Sequence, residues 1–245
     1  MRRFYQPCLC VGSQELQRDE AHHAANVLRL KRGDTLELFN GDGLTGDAEI
    51  LEITKKTVLV NVPQGCECLR RGPLLHIAFA VPKGKRLDWL LEKATELGVA
   101  SLWPVAFEYS VAGGDELGDS KLSRWEQHCI SAAKQCELNF MPKLHDIMPL
   151  DDFLMNSPSA KLKIVGDCVD GTPNISEKMS KMMADNSAAD ICMLIGSEAG
   201  FTADERKKIA DAGFKSVRLG ETVLRIETAV IALAAAITAY CSVKS

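Results

Sequence analysis

Residues 191–202 read ICMLIGSEAGFT, and this stretch decides the fold of the chain. The five apolar residues 191–195 are typical of a buried strand. A glycine-containing loop follows, and Thr202 with Glu205 three residues later forms a capping-box pattern that begins a helix. Strand, tight loop and helix in this order predict a βα unit of a parallel sheet. Because ligands bind at the carboxyl ends of strands in open α/β sheets, we expect a binding site at this loop.

The loop itself carries chemically distinctive residues. Gly196 and Gly200 allow the backbone to approach a ligand without an intervening Cβ, and Glu198 places a carboxylate between them. The loop lacks the G-K-[ST] ending of a P-loop and the G-x-G-x-x-G pattern of dinucleotide-binding folds, which disfavours a nucleoside polyphosphate and a nicotinamide cofactor. An ordinary βα turn also fits the spacing of these two glycines.

A second stretch, residues 219–229 (LGETVLRIETA), repeats the arrangement. It follows a predicted strand at 216–219 and enters an apolar helix predicted over 226–243. Arg225, Glu227 and Thr228 are polar residues at the start of that helix, where they either face a ligand or simply cap the helix. Two such loops in succession, neither with a phosphate-binding lysine, favour a ligand that is not a nucleoside polyphosphate.

The remaining sequence divides into two parts. Residues 1–70 predict short strands at 35–39, 47–53 and 57–62 with one helix at 21–30, a pattern typical of a small β-barrel. Beyond residue 74, apolar strands alternate with helices, which predicts a mostly parallel α/β sheet. One of these helices is predicted to begin at the capping-box pair Ser123 and Glu126. A linker at 64–73 therefore separates two predicted domains, 1–70 and 74–245.

Charge limits the kind of partner. The chain has 29 Lys and Arg against 33 Asp and Glu, a net charge of −4, which excludes a protein that coats nucleic acid non-specifically. Residues 69–87 nevertheless hold five basic residues and no acidic one. This stretch adjoins the domain junction and fits either a cleft for a polyanion or a solvated linker.

Other features point to a reduced, cytoplasmic protein. The longest apolar run, residues 229–240, spans about 12 residues, whereas a membrane helix needs about 20. Nine cysteines, an odd number, do not suggest a disulfide framework. Two C-x-C pairs, at residues 8–10 and 66–68, permit a metal site, but scattered thiols explain them better, and no metal is predicted.

The residues quoted above resemble the RsmE family of SPOUT RNA methyltransferases. The loop 196–201 (GSEAGF) resembles the family's G-P-E-G-G motif, and residues 219–229 resemble its L-G-x-x-[IV]-L-R-x-E-T-A motif. Further matches extend the resemblance over nearly the whole chain. They are RRFY at 2–5, VLRLKRGD at 27–34, KATELGV at 93–99 and AAKQC at 132–136.

The resemblance implies a fold and an activity. It implies a small PUA-like, RNA-binding β-barrel at 1–70 and a SPOUT-type α/β methyltransferase domain at 74–245 with a C-terminal trefoil knot. It implies S-adenosylmethionine as the cofactor and N3 of a uridine in small-subunit (16S-type) ribosomal RNA as the target. The expected partners are ribosomal RNA or the small-subunit particle, and a second copy of the chain in a homodimer.

The resemblance and the loops together nominate site residues. Arg225 and Glu198 are the predicted catalytic residues: Arg225 anchors phosphate or stabilises the anion of the base. Glu198, preferred over Glu227 for its closeness to the cofactor, takes up the proton or positions a water. The predicted cofactor-binding residues are Ile195, Gly196, Gly200, Leu219, Gly220, Val223, Leu224 and Thr228. The predicted RNA-binding residues are Arg2, Arg3, Arg29, Arg71, Lys83, Lys85 and Arg86.

The sequence also departs from the family at four positions. Ser197 and Ala199 replace the usual proline and glycine of the loop, and Tyr109 and Leu138 stand where arginines of the RNA site are expected. Three alternatives stay open, and the departures at Tyr109 and Leu138 bear on the second of them. The alternatives are a SPOUT 2′-O-ribose methyltransferase on ribosomal or transfer RNA, a non-catalytic RNA-binding assembly factor, and a small-molecule α/β enzyme.

Overall fold

The computed structural model describes residues 2–70, 72–110, 119–169, 171–175 and 189–242. The chain forms two compact units. The first consists of Met1–Arg71 and Ala133–Met141, and the second of Gly72–Ala132 and Pro142–Ser245. The segment 133–141, distant in sequence, therefore packs with the first unit. That the predicted domains 1–70 and 74–245 have separate functions stays a prediction.

The first unit is built on six strands and a short helix. Its strands are β1 (Arg3–Tyr5), β2 (Gly12–Glu15), β3 (Thr35–Phe39), β4 (Leu44–Ile53), β5 (Val58–Val62) and β6 (Cys66–Glu67). The sheet has the order β1-β3-β4-β5-β2, and β6 pairs with β4. The helix predicted over 21–30 begins earlier, as α1 (Arg18–His22), and continues into a π-helical turn (His23–Val27).

Alternation of side chains explains why this sheet has one buried face. In β5 every second residue, Val58, Val60 and Val62, is at most 1% exposed, because successive side chains of a strand point to opposite faces. Ile50 of β4 and Leu38 of β3 are also fully buried in the same cluster. The strands missed by the sequence patterns are β1, β2 and β6, each of at most four residues.

The second unit alternates strands and helices, as predicted. Its strands are β7 (Leu75–Ala80), β8 (Ser101–Ala106), β9 (Lys143–Leu144), β10 (Met148–Pro149), β11 (Leu162–Gly166), β12 (Ile191–Ile195) and β13 (Lys215–Val217). Its described helices are α2 (Lys85–Glu96), α3 (Asp119–Gln135), α4 (Leu150–Asn156), α5 (Ala203–Asp211) and α6 (Ile226–Ser242), the end of α3 belonging to the first unit.

The sheet of this unit has the order β10-β8-β7-β12-β11-β13, and all its described pairs are parallel. The central strands are buried on both faces: every residue of β12 is at most 4% exposed. Such continuous burial explains why the sequence shows apolar runs here and not alternation. The α/β class predicted for residues 74–245 is confirmed.

One predicted boundary in this unit is wrong, and the predicted linker, which does contain the boundary between the units at residues 71 and 72, also contains a strand of the first unit. The capping-box pair Ser123 and Glu126 lies inside α3, which begins at Asp119, so the pattern does not mark a helix start. The linker predicted at 64–73 contains β6, whose Cys66 pairs with Thr45 of β4. By contrast, Thr202 caps α5 through a complete capping box with Glu205, as expected.

Candidate functional site at the carboxyl edge of the parallel sheet

A cavity of about 260 Å³ lies at the carboxyl edge of the parallel sheet. The segments that follow β11, β12 and β13 line it together with the first turns of α6. Of the predicted cofactor-binding residues, six line the cavity: Ile195, Gly196, Gly200, Leu219, Val223 and Leu224. Glu198 also lines it, whereas Gly220 and Thr228 are absent from its lining. Both predicted loops therefore meet at one site.

The loop after β12 is a tight turn held by two hydrogen bonds between Ser197 and Gly200. The Gly200 N–H donates to the Ser197 carbonyl at 2.9 Å, and the Ser197 hydroxyl donates to the Gly200 carbonyl at 3.3 Å. Gly200 has a φ of +78°, which glycine adopts without strain. Ala199 does not have a positive φ, so this turn does not need a second glycine there. The two departures at Ser197 and Ala199 are thus compatible with the turn.

Gly196 is required for a reason that differs from the predicted one. A Cβ at this position would lie 2.5 Å from the Phe201 ring, a severe overlap. The missing side chain therefore makes room for Phe201, which packs beneath the loop, edge to face with Phe107. Gly196 still lines the cavity, so its backbone remains available to a ligand.

The segment after β11 forms a wall of the cavity that the sequence patterns missed. Asp167, directly after the strand, forms an ion pair with Arg206 of α5, and its other oxygen accepts the Cys168 N–H at 2.9 Å. Asp167 and Arg206 both line the cavity. The available signal was an apolar strand that ends in Gly166 and is followed at once by a carboxylate, as at Gly220 and Glu221, and as at Gly196 and Glu198 with one residue between.

The loop after β13 is held in shape by one arginine. Arg218 donates through Nε to the Gly220 carbonyl at 2.6 Å and through a terminal nitrogen to the Glu221 carbonyl at 2.8 Å. These bonds anchor the backbone just before Val223, which is 70% exposed although it is apolar. Val223 also lines the cavity, so a ligand bound there would cover this side chain.

The polar residues at the start of α6 have different environments. Arg225 is exposed, and its guanidinium takes part in none of the hydrogen bonds or ion pairs found among the described residues. Thr228 is exposed as well. Glu227 is only 6% exposed, and its Oε2 has no hydrogen-bond partner within the described chain. Arg225 is therefore free to meet a substrate, although it does not line the cavity.

Three predicted RNA-binding residues lie at the carboxyl end of β7. Lys83 and Lys85 are exposed, and Lys85 and Arg86 are the first two residues of α2. The Arg86 guanidinium lies 3.3 Å from Oε1 of Glu198 and forms an ion pair with it. The structure thus brings a predicted RNA-binding residue and a predicted catalytic residue together at the same edge of the sheet.

The predicted RNA-binding residues of the first unit do not share one environment. Arg2 is half exposed, and it lies 3.5 Å from Asp34, whose pKa the Lys31 N–H and Arg2 hold below its usual value. Arg29 is exposed and has a φ of +52°, an uncommon conformation for a residue with a side chain. Arg71 lies outside the described residues.

Arg3 requires a correction, because its side chain is only 3% exposed. Its guanidinium donates to the Leu138 carbonyl at 2.8 Å and to Asn139 Oδ1 at 2.5 Å, and it pairs with Glu37 at 3.4 Å. It also lies 4.4 Å from the centroid of the Phe39 ring. A buried arginine held by these partners cannot contact RNA in this conformation; it fastens the segment 133–141 within the first unit.

Tyr109 and Leu138, the two substrate-site departures, lie in different units. Tyr109 is half exposed in the loop after β8. The neighbouring Glu108 N–H donates to Glu205 at 2.9 Å, which ties that loop to the start of α5. Leu138 contributes its carbonyl to Arg3. Neither side chain supplies the cation that the family resemblance implied at these positions.

The described residues also bear on metal binding and on membrane-spanning helices. In that part of the chain no group of three or more His, Cys, Asp or Glu side chains could hold a metal ion. Cys8, Cys10, Cys66 and Cys68 are free thiols. None of the helices in the described ranges is long and apolar enough to cross a membrane.

Comparison with known proteins agrees with this geometry. Residues 70–238 match the model of an RNA methyltransferase domain, and residues 16–62 that of an RNA methyltransferase PUA domain. The ribosomal RNA small subunit methyltransferase E of Buchnera aphidicola is 31% identical over 92% of this chain and 87% of its own length. The Bacillus subtilis protein of the same name is 27% identical over 86% of this chain and 84% of its own.

Solved structures give the same answer. A methyltransferase of Legionella pneumophila, solved with the cofactor SAM, is 32% identical with a TM-score of 0.86 over 98% of this chain and 97% of its own. The ribosomal RNA small subunit methyltransferase E of Neisseria gonorrhoeae, bound to S-adenosyl methionine, is 27% identical with a TM-score of 0.83 over 98% of both chains. The chain with this cavity at its sheet edge therefore belongs to the RsmE family of ribosomal RNA small subunit methyltransferases.

Proposed function

We propose that this protein transfers a methyl group from S-adenosylmethionine to N3 of a uridine in small-subunit ribosomal RNA. The observation that carries the proposal is the cavity at the carboxyl edge of the parallel sheet, where the two family motifs, 196–201 and 219–229, converge. Family membership supports the reaction, and the N3 position follows from the resemblance to the RsmE family.

The lining of the cavity fits the proposed cofactor. Ile195, Leu219 and Leu224 offer apolar surface to an adenine ring, and Asp167 and Glu198 place carboxylates at the same cavity, where a cationic sulfonium or amino group is favoured. We propose backbone contacts to the cofactor from Gly196, Gly200, Leu219 and Leu224. Gly220 and Thr228 would contribute only if the loop after β13 moves, since they do not line the cavity.

The chemistry divides between the cofactor and the chain. Bound S-adenosylmethionine supplies an electrophilic methyl group on a sulfonium. The chain must supply help for the nucleophile, because uridine N3 carries a proton at neutral pH. Arg225 stays protonated and so cannot act as a base, but its exposed guanidinium can anchor a phosphate or stabilise the anion that forms on the base.

Glu198 is the proposed proton acceptor. It lines the cavity, its side chain is 44% exposed, and Arg86 holds Oε1 through the ion pair. The second carboxylate oxygen remains available to accept the N3 proton directly or through a water, and the exposure allows the proton to pass to solvent. Glu227, in the motif 219–229, is the alternative proton acceptor, but it is buried and absent from the cavity lining.

Contacts to the RNA are proposed for both units. Lys83, Lys85 and Arg86 surround the site edge in the second unit, and Arg2, Arg29 and Arg71 belong to the first. Because the target base must reach a cavity, it is expected to leave its stack before transfer. Cations on the flanking phosphates would hold the RNA while the base is extruded.

Finer features of the fold and assembly belong to the same proposal. The six-stranded sheet of the first unit is proposed to form the PUA-like barrel of the family. The second unit is proposed to carry a SPOUT-type C-terminal trefoil knot, in keeping with β13 lying beyond β11 on the side away from β12. A cytoplasmic location, where ribosomal RNA is found, completes the expectation.

A homodimer is proposed through α6. The exposed residues of α6 include Ala232, Ala236 and Ala239. Within residues 226–241 the ionisable side chains are those of Glu227, Tyr240 and Cys241. A helix that is apolar all round is normally buried, so a second copy of the chain is the expected cover. Sedimentation at micromolar concentration should give twice the monomer mass, and Ala236→Glu should return the monomer.

The test of the proposed function is the position of the methyl group. Small-subunit ribosomal RNA from cells with and without this protein is digested and its nucleosides are analysed by mass spectrometry. The proposal expects one N3-methyluridine to disappear without the protein and to return with it. A missing 2′-O-methyl nucleoside would instead support ribose methylation, and an unchanged nucleoside profile would support the non-catalytic assembly factor.

A further inference from the structure

We propose that the first unit carries a groove that binds the phosphate backbone of the RNA strand, at a place where none of the predicted RNA-binding residues lies. The groove has a volume of about 610 Å³ and is lined by residues of the first unit. Residues of α1 and of the π-helical turn line one part, and the turn 54–57 that joins β4 to β5 lines another. The inference rests on the proposed function, which makes RNA the substrate.

The charge of the groove is the first reason. Arg18 of α1 and the turn residues Lys55 and Lys56 line the groove with exposed side chains, and the ion pairs of the described residues involve none of them. Glu15 is the one carboxylate in the lining given by the described residues. Cations gathered around a concave surface repel each other, and a bound anion would offset that repulsion.

The turn that presents the two lysines is rigid. The Thr57 N–H donates to the Thr54 hydroxyl at 2.9 Å, and the Thr54 N–H donates to the Thr57 carbonyl at 2.9 Å. The Lys56 N–H also donates to the Thr54 hydroxyl, at 3.2 Å. The backbone of the lysines is thus ordered before a ligand arrives, which lowers the entropic cost of binding.

The floor of the groove belongs to the core. Leu16, Ala21 and Val58 line the groove and are at most 5% exposed. The Leu16 N–H donates to the Val58 carbonyl at 3.0 Å, which joins the residue after β2 to the start of β5. The concavity is therefore a fixed feature of the unit and does not depend on the placement of exposed side chains.

The side chains in the groove select the class of ligand. The described lining has no Phe, Tyr or Trp, and His22 supplies its one ring, so successive bases have no row of rings to stack on as they do in sites that read single strands. Arginine and lysine bind phosphate oxygens, and Asn26 adds an exposed amide that can donate a hydrogen bond. The groove therefore holds the backbone and fixes the register of the RNA without reading its sequence.

The test compares two double variants of the full chain. Lys55→Gln with Lys56→Gln removes two charges from the groove, and Lys207→Gln with Lys215→Gln removes two exposed charges elsewhere. Binding to small-subunit ribosomal RNA is measured at several salt concentrations. The groove variant should lower the slope of log affinity against log salt by about one per lost contact and the affinity by up to about tenfold per contact near 0.1 M salt. The control should change neither.

A third variant, a second RNA and a check of folding complete the test. Arg18→Gln should lower the slope by about one more, and a scrambled RNA of equal length should show the same loss, because phosphates carry no sequence. Thermal melting checks that each variant is folded. Equal slopes for wild type and groove variant, or equal losses in groove variant and control, overturn the inference. Methyl transfer by the wild type, measured in parallel, separates this failure from failure of the proposed function.

Discussion

The two edges of the parallel sheet in the second unit are completed in different ways. At the amino edge, Trp103 Nε1 donates to the Ser101 hydroxyl at 2.6 Å, and His76 Nδ1 lies 2.7 Å from the same oxygen. The His145 ring stacks on Trp103 with centroids 3.4 Å apart. At the carboxyl edge, by contrast, loops surround a cavity and Arg225 and Glu198 remain exposed.

This difference separates stability from function along the same strands. The packed rings and hydrogen-bonded side chains of the amino edge contribute to the free energy of unfolding. The carboxyl edge keeps a cavity and exposed polar side chains, which add little to stability but can bind a substrate. Substitutions at the two edges should therefore affect different measurements.

The largest expected effect is on stability at the amino edge. Trp103→Ala should lower the free energy of unfolding by about 3–5 kcal/mol, because it removes a buried ring that packs on His145 and Phe153. The measurement is denaturant unfolding. Trp89→Ala, which deletes the same side chain from a 44% exposed position, should cost under about 1 kcal/mol. Similar losses at both tryptophans would refute a special role for the amino edge.

The next effect is on turnover at the carboxyl edge. Arg225→Ala should lower the methylation rate by about 10²–10³-fold, because the developing anion loses its cation. The melting temperature and the affinity for S-adenosylmethionine, measured by calorimetry, should stay unchanged, since Arg225 does not line the cavity. Arg225→Lys, which keeps the charge without the planar fork, should retain part of the rate. Full turnover in Arg225→Ala would remove Arg225 from the mechanism.

A smaller effect is expected at Gly196, where one substitution should change both the stability and the affinity for the cofactor. Gly196→Ala places a Cβ 2.5 Å from the Phe201 ring, so the ring must move, at a cost of about 1–3 kcal/mol in stability. Because Gly196 lines the cavity, the affinity for the cofactor should fall as well. Gly220→Ala is the matched control for stability, since no atom lies within 4 Å of its added Cβ. Equal melting temperatures for both variants would contradict the steric argument.

The smallest effect is a pH dependence at the amino edge. Burial, with Lys143 nearby, lowers the pKa of His145 from 6.5 to about 4. The unfolded chain therefore binds a proton between these values while the folded chain does not, and stability should fall as the pH drops from about 6.5 towards 4. His145→Phe keeps a ring on Trp103 without titrating, so its melting temperature should fall less over this range. Parallel melting curves against pH would exclude the contribution of His145.

Much of the α/β unit could be predicted because its signals are local. The apolar runs at β11 and β12 end as predicted, at Gly166 and Ile195, since buried central strands leave an unbroken apolar pattern. The short strands β9 and β10, of two residues each, and the helix α4 left no comparable signal. Their positions depend on pairing with β8 and on packing, which a single sequence does not encode locally.

The candidate site was predictable only where a motif continues along the chain. Gly196, Gly200 and Leu219 belong to such motifs and line the cavity. The Asp167–Arg206 pair joins residues 39 positions apart and has no local pattern. In the same way, Arg3 looked like a surface cation beside aromatic residues, but Leu138 and Asn139, more than 130 positions away, enclose it.

The sequence by itself determined the two-part organisation, the α/β class of the second part, the family and the two motif loops, although not that these loops meet at one cavity. These follow from periodicity and contiguous motifs, which depend on neighbours along the chain. Only the tertiary structure decided that Arg3 is buried and Arg225 exposed, that Phe201 requires Gly196, and that Arg18 lines the same groove as Lys55. Burial and charge clustering depend on contacts between distant segments, and those contacts exist only once the chain has folded.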